Sequence, residues 1–459
     1  MRTIDTPVTS SFRDPSGFLF FREGVLYRQV NRVYQDHYDQ FIQSGLYDFL
    51  VNDSLLISHQ DVSDEFSCNA DVYKILKPEP ISFISYPYEW CFSQLKHAAL
   101  LTLKIQRRAF EHGMMLKDAS AYNIQYRKGL PILIDSLSFE SYRIGQPWFA
   151  YRQFCQHFLA PLVLMSYRDI RLNQLMQINL DGIPLDLTSS LLPWSSRIRF
   201  GVLSHIHLHA KSQKRFASAN ISNYSRPVTC NAVLGLIDSL ESTIHQLHYK
   251  EEGSCWSSYY DEHSYSENDM TEKIVMVGQV LDELKPKTMW DLGANTGRFS
   301  QLASEKGIYT LSFEGDPLSS EHHYQACVQR GETMVLPLIL DLSNPSSGIG
   351  WAHEERQSLL ERGPADVILA LALIHHLAIA NNVPFEKIAE FLSRLCETLI
   401  IEFVPKEDSQ VRRLLSSRTD IFHDYTQSQF EESFQRFFHI EESMLIGHSQ
   451  RLLYVMRRS

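Results

Sequence analysis

From residue 288 onward, apolar residues fall into short continuous runs separated by stretches with helical spacing. Runs at 288–292, 308–313, 333–339, 365–372 and 397–403 read as strands, as do 438–445 and 451–457. Between them, 297–306, 319–330, 385–396 and 426–437 carry the period of amphipathic helices. Another helix occupies 271–285, and Pro286 ends it before the first strand. Strands alternating with helices of this length predict a mostly parallel sheet covered on both faces, an α/β, doubly wound, Rossmann-like domain over 270–459.

The first half has a different rhythm. Residues 17–31 read as a β-hairpin, 34–50 as a helix, 55–86 as holding a strand pair, and 89–111 as a long helix with apolar Phe92, Leu95, Ala98, Ala99, Leu103 and Ile105 on it. The stretch 148–248 reads as mostly helical. Together these predict an α+β domain over 1–250. Residues 251–269 are polar, rich in Ser and acids, and lack an apolar period, which is the pattern of a linker.

Length and composition agree with this division. A chain of 459 residues exceeds one ordinary core. Its hydrophobic fraction of 44% and charged fraction of 21% are those of a soluble globular protein. The formal net charge of −11 disfavours a general nucleic-acid-binding surface, which needs Lys and Arg against phosphates. No apolar run follows Arg2, so neither a signal peptide nor a membrane anchor is expected, and the apolar stretches 158–165 and 367–373 are too short to span a bilayer. Cys68, Cys91, Cys155, Cys230, Cys255, Cys327 and Cys396 form no CxxC pair and have no His at ligand spacing. They read as reduced thiols of a cytoplasmic protein, and no metal site is expected.

The most informative segment runs from Met289 to Gly297. An apolar strand ends in Asp291 and turns through Gly293, Ala294, Asn295 and Gly297 into a helix. Glycine at such a turn lets the backbone approach a ligand and adopt angles that a side chain forbids. The next strand ends in Glu314, 21 residues after Gly293, followed by Gly315. That interval sets a carboxylate beside the turn, where it can accept from both hydroxyls of a ribose. The glycine pattern is G-x-x-x-G and lacks the G-x-G-x-x-G that seats a pyrophosphate on the helix N-terminus, so a nicotinamide dinucleotide is disfavoured.

These residues resemble the first motif of class I S-adenosylmethionine-dependent methyltransferases, with Asn295 where that family usually has its middle glycine. The resemblance continues through Asp341, after the third strand, and through the apolar fourth strand with its exit His375-His376-Leu377. It implies S-adenosylmethionine as cofactor, with Asp291, Gly293, Ala294, Asn295, Gly297, Glu314, Gly315 and Asp341 in its site. Each acid also has a structural reading: Asp291 as a turn acceptor, Asp316 as a helix cap, Asp341 as a cap or turn residue as readily as an adenine contact.

Methyl transfer to a hydroxyl requires alignment and a base. His375 and His376 lie at the carboxyl edge of the sheet and are the candidate catalytic residues, the alternative being loop packing. The family motif occurs with both O- and C-methylation, so it leaves the acceptor atom open. Glu402, His423, Asp424 and Tyr425 are further candidates for lining the acceptor pocket, and Thr426 for capping the following helix.

In the first half, Asp118, Asn123 and Asp135 resemble the catalytic and metal-binding residues of protein kinases and small-molecule phosphotransferases, with the helix over 89–111 and the stretch 82–90 where that fold has its long helix and hinge. No glycine-rich loop precedes Phe41, Asp135-Ser136-Leu137 replaces Asp-Phe-Gly, and Arg28 is the nearest cation to the place of the pairing Lys. The whole arrangement, a degenerate kinase-like front followed by a methyltransferase, resembles bacterial methyltransferases related to nodulation proteins. The function expected is methyl transfer to a small-molecule or glycan acceptor, at oxygen, with 1–250 supplying acceptor binding. The competing readings are a bifunctional kinase and methyltransferase, using ATP and magnesium at Asp118, Asn123 and Asp135, and a non-catalytic two-domain adaptor.

Overall fold

A computed structural model describes residues 5–66, 70–216, 227–250, 267–416 and 419–459. Two units are formed: Met1–Lys250 with Ile349–Arg356, and Glu251–Gly348 with Gln357–Ser459.

In the first unit, β1 (Thr6–Pro7), β2 (Gly17–Arg22), β3 (Val25–Asn31), β4 (His59–Asp61) and β5 (Val72–Pro78) make an antiparallel sheet in the order β1-β2-β3-β5-β4. The β2–β3 hairpin turns at Glu23 and Gly24, both with positive φ (53° and 77°), the geometry that matches strand twist in a two-residue loop. The helix expected over 34–50 is two helices, α1 (Gln35–Gln43) and α2 (Leu46–Asn52), because Gly45 adopts φ 75° between them. Helix α3 (Phe92–Glu111) buries Leu95, Ala98, Ala99, Leu103 and Ile105. Strands β6 (Met114–Leu116), β7 (Ile124–Arg127), β8 (Leu130–Leu133) and β9 (Phe139–Ser141) then pair as β6 with β9 and β7 with β8, both antiparallel. Short helices dominate the described part of 148–248, among them α4 (Leu185–Leu191).

Residues Ile349–Arg356 belong to this unit although they lie far along the chain. The Arg13 Nε–H donates to buried Glu355 at 2.7 Å, and the Arg356 guanidinium lies 4.1 Å from the ring centre of Tyr122. Nothing in the sequence pattern announced this.

The second unit begins with α5 (Glu267–Leu284), which takes in residues 267–269 of the expected linker; 251–266 lie outside the described residues. It continues through β10 (Thr288–Leu292), α6 (Arg298–Glu305), β11 (Tyr309–Glu314), α7 (Pro317–Arg330), β12 (Val335–Ile339), β13 (Ala365–Ala370), α8 (Phe385–Ser393), β14 (Cys396–Phe403), α9 (Gln427–Gln435), β15 (Phe438–Leu445) and β16 (Leu452–Arg458). The sheet order is β12-β11-β10-β13-β14-β16-β15. The first five strands are parallel, β16 runs antiparallel to β14, and β15 antiparallel to β16. Met289, Val367, Leu369, Ile400 and Val455 of the sheet pack with Val277 and Leu281 of α5 in one apolar cluster. The chain steps outward from β10 in one direction to β11 and β12, and in the other to β13 and β14. The crevice at the carboxyl ends of β10 and β13 is therefore the topological switch point, where ligands bind in open α/β sheets.

Strand β13 stops at Ala370, short of the expected 372. Ala372 adopts φ 50°, and its N–H donates to Glu402 at 3.0 Å instead of to a ladder partner. Cys91, Cys155, Cys230, Cys327 and Cys396 form no disulfide with one another, while Cys68 and Cys255 lie outside the described residues. No described helix is long and apolar enough to cross a membrane.

Candidate methyl-donor site

The turn after β10 is built from left-handed residues. Gly293, Asn295 and Gly297 have φ of 73°, 52° and 81°. Asparagine is among the few side-chain-bearing residues that visit this region readily, which accounts for Asn295 at a position that otherwise favours glycine. At Gly297 a Cβ would sit 1.9 Å from Nε2 of His323, whose Nδ1 is 3.0 Å from the Ser312 hydroxyl. The N–H groups of Gly293 and Ala294 donate to the Phe313 carbonyl at 2.9 and 3.1 Å, folding the turn over the end of β11.

That fold-over delivers Glu314 to the turn. One carboxylate oxygen accepts the Asn295 N–H at 2.7 Å and the other the Asp316 N–H at 2.8 Å. Burial raises the pKa of this carboxyl, and those backbone donors oppose the rise. A carboxylate offers about four acceptor directions, so further donors can still be received. Asp316 caps α7 by accepting the Ser319 N–H at 3.0 Å. Asp341 is exposed and closes a local turn, accepting the Ser343 N–H at 2.8 Å and hydroxyl at 2.7 Å. Gly315 is exposed between β11 and α7.

Asp291 is buried and accepts the Ser300 hydroxyl at 2.6 Å. Burial pushes its pKa up to about 6, against the pull of Ser300 and of the Lys273 charge. Lys273, on α5, pairs with Glu402 at 2.5 Å; Glu402 also binds Arg451 at 3.0 Å, and Arg451 binds Asp408 at 2.8 Å. Lys273, Glu402 and Arg451 are all buried. Glu402 is thus the hub of a buried charge network that also fixes Ala372 at the exit of β13, and its acceptor-lining expectation is replaced by this role. Sequence reasoning missed Lys273 and Arg451. The available signals were Lys273 in the helical register of buried Val277, Val280 and Leu281, and Glu402 inside an apolar strand, since a buried charge must be paired.

His375 and His376 follow that exit with ring centroids 4.2 Å apart. His375 is fully buried, and neither ring nitrogen has a hydrogen-bond partner among the described residues. Burial holds its pKa well below the ordinary value, with His376, Arg451 and Lys273 adding to the effect. His376 is half-buried and lowered to about 4, by burial first and then by Arg451. Beside this exit lies a cavity of about 190 Å³ whose walls include Leu292, Leu342, Ser343, Leu373, Leu377 and Phe391. Leu373 is also the side chain that a Cβ on Gly293 would meet, at 3.4 Å, so the glycine turn and the cavity share a wall. His423 and Asp424 are exposed, whereas Tyr425 is buried against Phe403 and donates to the Val404 carbonyl at 2.8 Å. Thr426 caps α9.

In the first unit, Asp118 accepts the Ser120 N–H at 2.9 Å and the Gln153 amide at 2.8 Å. Asp135 is bound by the Arg28 guanidinium at 2.6 Å and accepts the Ser138 hydroxyl at 2.6 Å, and the Asn123 amide donates to that same hydroxyl at 3.2 Å. Burial raises the Asp118 pKa, and Asp135 adds to it. Among the described residues, no group of three or more His, Cys, Asp or Glu side chains is placed to hold a metal ion.

The doubly wound sheet, its acid-ended first strand, the left-handed glycine turn and the second-strand acid seated on that turn are the arrangement through which the sequence resembles class I S-adenosylmethionine-dependent methyltransferases. No protein-family model matches the chain. It is 35% identical over 460 residues to nodulation protein NoeA of Rhizobium meliloti (strain 1021), covering 98% of this chain and 96% of that protein, and it belongs to the same family. Among solved structures it is similar to magnesium protoporphyrin IX methyltransferase (ChlM) of Synechocystis PCC 6803 with bound SAH, at 15% identity over 44% of this chain and 93% of that one, with a TM-score of 0.31. A similarity to WbdD spans 45% of this chain and 43% of that one, at 14% identity and a TM-score of 0.30.

Proposed function

We propose that the chain moves the methyl group of S-adenosylmethionine to a hydroxyl oxygen of a small-molecule or glycan acceptor. The observation that supports this most is Glu314 held by the Asn295 N–H of the glycine turn with acceptor capacity to spare. On this reading Glu314 receives the ribose hydroxyls, while Gly293, Ala294, Asn295 and Gly297 form the turn that admits the methionine portion. Gly315 keeps the end of β11 open. Asp291, through Ser300, steadies the turn from beneath. The cavity walled by Leu342, Leu373 and Leu377 takes the adenine ring, with Asp341 near its amine.

The bound cofactor supplies a methyl carbon already activated by its sulfonium, so the chain's tasks are alignment and removal of the hydroxyl proton. His376 accepts that proton. His375 packs against it, and both rings stay neutral at physiological pH, the form able to receive a proton. Every donor motif follows residue 269, which supports 1–250 as the acceptor-binding domain. The acidic net charge favours a non-nucleic-acid acceptor, and scattered cysteines without a CxxC pair favour a cytoplasmic setting.

Calorimetric titration of the full chain with S-adenosylhomocysteine is expected to give one site per chain. ATP with magnesium is expected to give none. A folded chain that ignores S-adenosylhomocysteine would sink the proposal.

A further inference from the structure

Exposed apolar side chains are concentrated in one short stretch of the first unit. Trp194, Ile198 and Phe200 are 72%, 72% and 76% exposed, and Leu187 and Leu191, one turn apart on α4, are 38% and 37% exposed. A single exposed apolar residue needs no explanation, but such a group marks a surface that is covered by something.

The stretch is built rigidly. His207 is gripped between the Ser189 hydroxyl of α4 at 2.7 Å and the buried Ser196 hydroxyl at 2.8 Å. Ser196 also donates to the Pro193 carbonyl at 2.7 Å, and the Arg168 Nε–H donates to the Leu191 carbonyl at 2.6 Å, closing the end of α4. The turn bearing Trp194 is therefore held from behind while its apolar side chains remain in solvent.

Charge indicates what covers it. Exposed Arg197 and Arg199 alternate with Ile198 and Phe200, and Lys211 lies near enough to His207 to act on it electrostatically together with Arg197. Between 187 and 212 the sequence holds no Asp or Glu, in a chain of formal net charge −11. A second copy of this face would set the same cations against themselves in a two-fold contact. An anionic bilayer surface instead matches both halves of the pattern: Trp and Phe settle at the headgroup boundary, and Arg pairs with lipid phosphates.

We propose that residues 187–200, with Arg168 and Lys211 beside them, dock the chain reversibly on an anionic phospholipid surface. This reading is independent of the methyl-transfer assignment. The test is flotation of the full chain with vesicles of phosphatidylcholine alone or mixed with phosphatidylglycerol. The chain is expected to float with the mixed vesicles only and to be released by salt. Arg197→Gln with Arg199→Gln should weaken binding about 25-fold, since each basic residue near such a surface is worth about fivefold. Trp194→Ser with Phe200→Ser should weaken it at least about tenfold. Both double variants should keep the parent melting temperature and S-adenosylhomocysteine affinity. Equal behaviour with both vesicle types, or retained binding in the Trp194 and Phe200 variant, overturns the proposal. So does a lipid-free dimer in light scattering that this variant turns into monomer, because the face then belongs to a second copy.

Discussion

Each unit places a carboxylate at a turn beside a strand end, and the two are held in opposite ways. Glu314 is gripped by two backbone N–H groups, neutral donors that leave its charge unspent. Asp135 is gripped by the Arg28 guanidinium, with both side chains 13% exposed. A carboxylate fixed by neutral donors keeps a full charge and open lone pairs for a ligand, whereas one with a built-in cation already has its counter-ion. A metal at Asp135 would have to displace Arg28, at a cost of several kcal/mol for leaving a largely buried charge unpaired. Acids read from a motif are therefore not equally available, and the deciding residue stands elsewhere in the chain.

The sharpest test of that contrast is Glu314→Ala against Asp316→Ala. Two charge-assisted hydrogen bonds to ribose are worth about 1.5 to 3 kcal/mol each, so Glu314→Ala should cut S-adenosylhomocysteine affinity by about a hundredfold or more. It also strips the Asn295 and Asp316 N–H groups of their acceptor and loosens the turn. Asp316→Ala removes only the cap of α7, about 1 kcal/mol of stability, with affinity changed less than about tenfold. Calorimetry and melting curves on both variants separate the outcomes, and equal losses would place the ribose acid elsewhere.

Much of the second unit was legible because continuous apolar runs and helical periods report burial directly: β10 covers 288–292, as the pattern predicts, and β11, β13 and β14 begin within one residue of expectation. The positive-φ demand at Gly293 and Gly297 was also written in the residue types. What stayed hidden depends on partners remote in sequence. An isolated glycine such as Gly45 does not reveal that it will break α1 from α2. Ile349–Arg356 joins the first unit through contacts that include those of Thr9, Arg13 and Tyr122, and no local pattern encodes them. Glu402, read from the sequence only as a candidate for the acceptor pocket, is instead paired with Lys273 and Arg451, neither of which is near it in sequence.

Fixed cations also bear on the second unit's histidines, and pH sharpens this. His376 has its pKa lowered to about 4 in the folded chain, by burial and by Arg451, against about 6.5 when unfolded. Between those values the unfolded chain binds more protons, so stability rises with pH across the window and the contribution is complete above about 6.5. His376→Gln should flatten that acid-side dependence by about 2 kcal/mol, after allowance for the partial exposure of the ring. Urea midpoints at several pH values measure it. The acid limb of methyl-transfer activity should likewise fall nearer pH 4 than 6.5; a limb at 6.5 would assign the base to another group.

The smallest expected effect is none at all, and it bears on the other side of the comparison. Phosphoryl transfer depends almost wholly on positioning the phosphates and neutralising their charge. The sequence before Phe41 supplies no glycine-rich loop, and the cation nearest to the place of a pairing Lys, Arg28, is engaged with Asp135 at 2.6 Å. Asp118 is itself occupied by Ser120 and Gln153, and its pKa is raised by burial and by Asp135, which disfavours a second negative charge beside the first. The purified chain should therefore hydrolyse ATP with magnesium only at background rate, and Asp118→Ala should leave that rate unchanged. Magnesium-dependent turnover that vanishes in Asp118→Ala would show that Arg28 yields its place to a metal, erase the contrast between the two carboxylates, and add phosphoryl transfer to the methyl transfer proposed above.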